Sequence, residues 1–440
     1  MASTVLTRTP SSNGSQRIMT FSAWIKLDIT TSNAFFSTGS SGSALFSLYF
    51  TNASKLQMEY YNGSTNYYLR TNRLFRDVNA WYHIVMVLDT TQATEANRMR
   101  IYVNGTEETS FDANQYPTKD FDVQYINSTS YSNKVGNNNG ANFFTGQLAH
   151  VHYVDGTAYT PSTFGETDTT TGIWKPKTAP TVTHGTNGFF LKFDNLANMG
   201  LDSSGQSNNL TTSGPIIQNK DTPSNVFCTI NPLDNYYGGG TLSNGNTKIQ
   251  TGGSNIESYT LSTLGASSGK YYCEMKLINS TSSYKTRFGI AYEPTNSTSD
   301  WLGKRAVGYS LRQDGNATNN NSTISGTFAS YTSGDIISMA IDLDNSKLYF
   351  RKNNDAWMNS GNPTSGSTGT GAISITPNKT YLIGIGDETG GYSVCELNFG
   401  NGYFGTTAVS SAGANASGNG IFEYDVPTGY TALSTKGLNL

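Results

Sequence analysis

Charge is scarce in this chain. Aspartate, glutamate, lysine and arginine make up 13% of its 440 residues, against roughly a quarter in an ordinary globular chain. The 31 acids and 28 bases leave a net charge of −3. A nucleic-acid binder needs a clustered cationic surface, so that class is excluded. Cysteine is scarcer still, with Cys228, Cys273 and Cys395 an odd number without metal-ligand spacing. The latter two lie in strand-like runs, as buried thiols would, so a disulfide framework is not expected. No apolar run approaches the ~20 residues that span a bilayer, and the opening Met1–Arg17 lacks the apolar core of a signal peptide. The expectation is a chain that folds in a cytoplasm, without membrane insertion, and takes its stability from its cores. What is abundant is glycine, at 46 residues, and aromatics, 27 Tyr, 21 Phe and 5 Trp. That composition, with frequent Ser, Thr and Asn, describes short strands and turns and argues against disorder.

The length suggests two to four domains at roughly 100–200 residues each. Almost every periodic segment alternates with period two, and no long helix is expected. Met19, Phe21, Ala23, Ile25 and Leu27 share one face of a strand, with Thr20, Ser22, Trp24 and Lys26 on the other. The run Trp81–Leu88 is apolar on both faces, as in a strand covered on both sides. Met99, Ile101 and Val103 lead into Asn104-Gly105, a tight-turn signal. Gly146–Gly156 reads as another glycine-bounded strand. Lys175-Pro-Lys-Thr-Ala-Pro180 ends the first block, and a second block begins near Asn225. Its strands include Tyr271–Leu277, Asp335–Leu343, Lys347–Phe350, Tyr381–Ile385 and Ser393–Phe399, and Asn359–Gly371 reads as a Gly/Ser/Thr loop. Both halves repeat one device, an apolar strand ending in Asp, a turn and a second strand. The fold expected is all-β, two antiparallel jelly-roll-like sandwiches: residues 1–178, a connector 179–225, and residues 226–440.

Phe21-Ser-Ala-Trp-Ile-Lys26, Trp81–Asp89, Arg100-Ile-Tyr-Val-Asn-Gly105 and Phe144-Thr-Gly-Gln-Leu148 resemble the laminin G-like, concanavalin A-like family. Leu191–Asp194, Asp202–Gly205 and Asn208–Thr211 look like the segment that usually opens such a domain, here placed after its body. Either they complete the first sandwich as a permuted strand pair, or they have no domain of their own. Ser268–Met275, Arg287–Ala291, Gly308–Ser310, Asp342–Phe350 and Glu396–Gly400 resemble a SPRY domain. The opening Leu6–Ser12 followed by Trp24-Ile-Lys26 looks like structural proteins of marine tailed bacteriophages. These resemblances imply a virion protein assembled in a host cytoplasm.

A glycosidase on such a fold would need closely spaced acids along one strand. The nearest, Glu166 and Asp168, lie in a post-strand loop, and Glu107-Glu108 reads as a solvated hairpin end. The chain is therefore expected not to be an enzyme and to need no cofactor. His150 and His152, two apart, would project from one face together with Leu148 and Val154. No third metal ligand follows from spacing, so no metal site is assigned. Gly384–Gly390 has the wrong spacing for a dinucleotide loop and reads as close packing in a strand. Lys304-Arg305 beside Trp301 is too small for nucleic acid but suits a carboxylate or acidic sugar.

What remains is a binding surface. Sugars present hydroxyls and apolar C–H faces, which Asn side chains and stacked aromatics recognise. Candidate loops are Tyr60–Asn62, Tyr67-Tyr68, Tyr125–Asn139 and Tyr284–Trp301, and Trp24 is either a stacking platform or packed beneath a loop. The long connection Asp112–Asn142, in which Asp122–Ile126 has strand character, puts Tyr131, Asn133, Asn137 and Asn138 first, since long connections in compact domains are usually functional or disordered. Trp301 and Arg305 in the second half come next. The expected role is a fibre, spike or tail component binding host-surface glycan, repeated on the particle and most simply trimeric. A decoration or adaptor protein that binds other virion proteins is the alternative, with a polysaccharide depolymerase behind it.

Overall fold

The computed structural model describes residues 4–28, 33–77, 80–138, 140, 142–169, 172–253, 256–281, 286–388, 391–410 and 412–439. The chain divides into two compact units, residues 1–218 and 219–440. Both are antiparallel β-sandwiches, and among the described residues helix appears only as short 3₁₀ turns.

In the first unit an eight-stranded sheet runs in the order Phe111–Gln115, Asn66–Leu74, Lys55–Tyr61, Ala44–Phe50, Asn33–Ser41, Asn133–Val135, Val5–Arg8, Thr211–Ser213. A six-stranded sheet runs Phe189–Leu191, Gly146–Asp155, Ile18–Leu27, Trp81–Asp89, Met99–Val103, Thr106–Glu107. Their facing side chains merge into one core that includes Phe21, Ile25, Phe46, Leu48, Met58 and Met86. The strands of the 179–218 segment pair with the body: Phe189–Leu191 lies on Gly146–Asp155, and Thr211–Ser213 on Val5–Arg8.

The outer face of the six-stranded sheet is also covered. Thr20, Ser22, Trp24 and Lys26, the polar side of their strand in sequence, are all buried. Val85, Val87, Tyr102, Val154 and Phe164 form a second core there, under Ala158, Tyr159 and Val182. This explains why Trp81–Leu88 is apolar on both faces: alternate residues feed two different cores.

Three local expectations fail. A bulge between Ala149 and His152 shifts the register, and His150 takes a left-handed φ of 49°. Leu148 therefore packs on the inner core while Val154 joins the outer one, because one extra residue flips all that follow. Asp122–Ile126 is coil leading into a turn, not a strand. Glu108 is buried and ion-paired to Arg73 at 2.6 Å, so only Glu107 remains exposed at that hairpin end.

The second unit repeats the plan. One sheet centres on Lys270–Ser280, flanked by Ser393–Asn398 and Ile336–Asp342, and the other on Arg287–Ala291 between Tyr381–Gly386 and Gly308–Arg312. Its inner core contains Cys273, Met275, Phe288, Ile290 and Met339. Its outer face, with Tyr272, Ala340 and Tyr349, is covered by Phe422, Val426 and Tyr430 of the C-terminal segment. The three cysteines are free and buried. The Asn359–Gly371 stretch overlaps two 3₁₀ turns, Met358–Ser360 and Pro363–Thr368, with Pro363 buried. Gly386 packs so closely that a Cβ would stand 2.1 Å from the Ser258 carbonyl oxygen, as a strand glycine at a close approach requires.

Candidate functional site

The uncovered surface with the most organised polar chemistry is the outer face of the eight-stranded sheet in the first unit. Phe46, Leu48 and Phe50 of one strand and Leu56, Met58 and Tyr60 of the next point into the core. Alternation sends Ser47, Tyr49, Gln57 and Glu59 to the other side. One cross-strand row reads Lys134, Ser37, Ser47, Glu59, Tyr68, and beside it run Tyr49, Gln57 and Arg70.

The centre of this face is low. Ser37 and Ser47 have no exposure although they face outward, because short side chains stand between taller neighbours. On one side Tyr49 donates its hydroxyl to Glu59 at 2.9 Å. Burial and the Glu59 charge raise the Tyr49 phenol well above its usual range, so it remains a donor. Arg70 and Lys55 both bind Asp112, at 2.6 and 2.9 Å. On the other side Asn137 reaches the face, where Ser37 Oγ donates to its backbone carbonyl at 2.8 Å. Burial lowers the Lys134 ammonium from its usual value. Gln57 Oε1, Asn137 Oδ1 and Asn138 Oδ1 are buried acceptors without a partner among the described residues. Buried acceptors rarely go unpaired.

The loop residues favoured from sequence divide. Tyr131 is partly exposed and packs edge-on against Tyr125 at 5.0 Å, at the end of a ladder through Tyr60, Tyr67 and Phe121. Asn138 is partly exposed. Asn133 and Asn137 have exposures of 0% and 3%, so neither side chain is offered to a surface ligand. Asn133 lies in a strand held between Val5–Arg8 and Asn33–Ser41. Asn139 lies outside the described residues, as do Tyr284 and Gly390. Tyr60 is core and Asn62 caps its own turn through Ser64 and Thr65, leaving Tyr61 and Tyr68 as the outward tyrosines of these loops. Ser47, Gln57 and Glu59 were missed. Their signal was the polar–apolar alternation of Ala44–Phe50 and Lys55–Tyr61.

In the second unit Arg305 is committed internally. It binds Asp300 and Glu293 at 2.9 and 2.8 Å, the Tyr259 hydroxyl and the Pro294 carbonyl. It organises its loop and is not free for an acidic sugar. Trp301 covers the Arg287 guanidinium at 3.7 Å. Trp24 is buried against His83 at 4.8 Å and is no platform. Glu166 and Asp168 both face Lys175. Among the described residues no group of three or more His, Cys, Asp or Glu is arranged to hold a metal, and no helix is long and apolar enough to cross a membrane.

Residues 3–163 match the Laminin_G_3 family, described as the concanavalin A-like lectin/glucanases superfamily. No curated protein matches the chain. Among solved structures, the SPRY domain of human HERC1 is 18% identical, covering 36% of this chain and 91% of that one, with a TM-score of 0.30. The PSpry domain of TRIM65 is 13% identical, covering 39% and 89%, with a TM-score of 0.28. A heptameric SAP-like pentraxin from Limulus polyphemus is 19% identical, covering 36% and 72%, with a TM-score of 0.27. The first unit thus has a lectin/glucanase-like fold, compatible with carbohydrate binding.

Proposed function

We propose that this protein is a non-enzymatic bacteriophage virion component that binds host-surface glycan through the polar face of the first unit. The observation that carries the reading is the low polar strip on that face, a serine floor between Tyr49, Glu59 and Tyr68 on one side and the Asn137 backbone on the other. The partly exposed Glu59 and Asn138 offer polar groups to sugar hydroxyls, and Tyr68 provides an apolar ring for a C–H face. The two carboxylates nearest this face have other work: Glu59 accepts from Tyr49, and Asp112 is held by two cations. That supports binding rather than hydrolysis, which needs one acid protonated and one free. Copies repeated on a particle, in the simplest case a trimer, would convert weak single sites into firm attachment.

The test is binding of the full-length protein to host cells and a glycan array. Tyr68→Ala and Asn138→Ala should each weaken binding about fivefold or more, the effect of losing roughly 1 kcal/mol at a contact, with thermal unfolding unchanged. Unaltered binding by both variants would reject this face. A second expectation concerns salt. Hydrogen bonds and stacking displace few counterions, so binding should change little up to ~0.5 M salt, where the Debye length is a few ångströms. A steep loss would point to ionic recognition instead.

One observation favours the adaptor reading. Leu233 and Tyr236 are 80% and 86% exposed, on a loop braced by Asn231, Asp234 and Asn235 through hydrogen bonds to Leu233, Leu261 and Gly240. An ordered loop presenting two large apolar side chains suits contact with another virion protein.

A further inference from the structure

All four histidines of the chain, His83, His150, His152 and His184, lie in one cluster on the outer face of the six-stranded sheet in the first unit. The covering segment runs from Thr157 to Asn187, of which residues 157–169 and 172–187 are described, and it includes the hairpin Gly165–Thr167 with Trp174–Pro176. Two imidazole contacts help to pin it. The Trp174 indole N–H donates to His83 Nδ1 at 2.9 Å. An indole nitrogen can only donate, so His83 Nδ1 must carry no proton. The ring proton is then on Nε2, 2.9 Å from Ser22 Oγ. His83 lies between Trp24 and Trp174, with centroids at 4.8 and 5.9 Å. Trp174 is seated on two glycines, since a Cβ on Gly105 or Gly165 would come within 2.9 or 2.5 Å of its ring. The second pin is His184 Nε2, 3.1 Å from His152 Nδ1. His152 itself stacks on Phe190 at 3.8 Å.

The first pin tolerates only a neutral His83, and the second tolerates at most one charged ring. A proton on His83 Nδ1 would set one N–H against another, and protonating both facing nitrogens of the His152–His184 pair would do the same. We propose that Thr157–Asn187 is an acid-released strap, held on the sheet through Trp174–His83 and His184–His152 and detached when these imidazoles take up protons. Thr20 and Asp155, which bond Thr157, Tyr159 and His184 along the strap's margins, make contacts that do not depend on the imidazoles. The charges acting on the cluster support a response to acid. Lys192 and Asp194 act on His150, and Asp202 acts on His184. At His83 and His152 the charged neighbours are the other imidazoles. Burial lowers all four histidines, His83 to about 3. Release would uncover Trp24, Val85, Val87, Tyr102, Val154 and Phe190.

Hydrogen–deuterium exchange of the full-length protein at pH 8 and pH 5, corrected for intrinsic rates, tests this. A histidine held near 3 in the closed state and free to titrate near 6.5 in the open one raises the opening constant about 30-fold at pH 5. Exchange in 157–169 and 172–187 should rise by at least that factor, while Ile18–Leu27 and Trp81–Asp89 keep their protection. His83→Gln with His152→Gln, which cannot titrate, should flatten the response. Should that pair fail to fold, Trp174→Phe keeps the ring and loses the donor, and should loosen the same segment at pH 8. Strap exchange that is independent of pH in the native protein would overturn the proposal. So would loss of protection by strap and sheet together, or unchanged strap exchange in Trp174→Phe.

Discussion

Glu274→Leu is expected to cost the second unit about 3–5 kcal/mol, the range for stripping a buried group from its partners. The side chain is fully buried. Its two oxygens accept from the Tyr272 hydroxyl at 3.0 Å, Asn398 Nδ2 at 3.2 Å, and the backbone N–H groups of Glu423 and Tyr424 at 2.9 and 3.0 Å. The last two belong to the C-terminal segment that covers the outer face. Leucine leaves the Glu423 and Tyr424 N–H groups without this acceptor, while the Tyr272 hydroxyl keeps Ser338 Oγ and Asn398 keeps the Ile421 carbonyl, and each orphan is expensive. Desolvation pushes the Glu274 carboxyl up to about 7, against the pull of these four donors. The native state then holds a proton that the unfolded chain releases above about 4.5. Stability from this group is full below 4.5 and falls as pH rises through 7, by about 3 kcal/mol at about 1.4 kcal/mol per unit. The buried imidazoles of the first unit act with the opposite sign, since their unfolded forms bind protons that the native forms refuse. Calorimetry of the full-length protein should therefore show two transitions shifting in opposite directions between pH 8 and pH 5, the second unit's rising and the first unit's falling. Glu274→Leu identifies the second, and Glu274→Gln should remove its pH dependence. Two transitions shifting in the same direction would refute the assignment.

Much of the fold was legible because period two is a local signal. Ile18–Leu27 and Trp81–Asp89 could be placed from their own side chains, and even the double coverage of the latter was readable. The cover over Trp24 was not, since Phe164, Trp174 and His184 come from far along the chain and carry no mark of where they fold back. The bulge at Ala149–His152 defeated the alternation for a related reason. One extra residue leaves composition unchanged and reverses every later side chain. The candidate site was legible only at its edge. Tyr and Asn richness drew attention to residues 131–138, which do border the polar face through Asn137. That richness cannot distinguish an amide that points at solvent from one held between two strands, which is the fate of Asn133. The floor residues Ser37, Ser47 and Gln57 are ordinary in sequence, and only cross-strand register brings them together.

The charged groups beside Trp301 divide into one that the unit depends on heavily and one that matters less. Arg287 is 1% exposed and binds Glu388 through two nitrogens, Thr318 Oγ1 at 2.7 Å and Ser310 Oγ at 3.1 Å. Trp301 seals it from above. Arg287→Met should cost about 3–5 kcal/mol, because the 13%-exposed Glu388 loses its guanidinium partner and its contact to Arg312 is longer, at 3.4 Å. Trp301, with its cation gone, should show red-shifted fluorescence. Arg305→Ala removes four hydrogen bonds against five for Arg287, but Arg305 is 27% exposed and its partner Glu293 is 52% exposed. Water replaces the Glu293 contact, while Asp300, 5% exposed, keeps the Asn296 N–H at 3.1 Å, so a smaller loss of about 2 kcal/mol is expected. Adding Glu388→Gln to Arg287→Met should recover part of the larger loss, since the carboxylate that lost its guanidinium is then neutral. A double variant no more stable than Arg287→Met, or an Arg305→Ala loss exceeding that of Arg287→Met, would show that packing under Trp301, rather than charge pairing, holds this end of the second unit together.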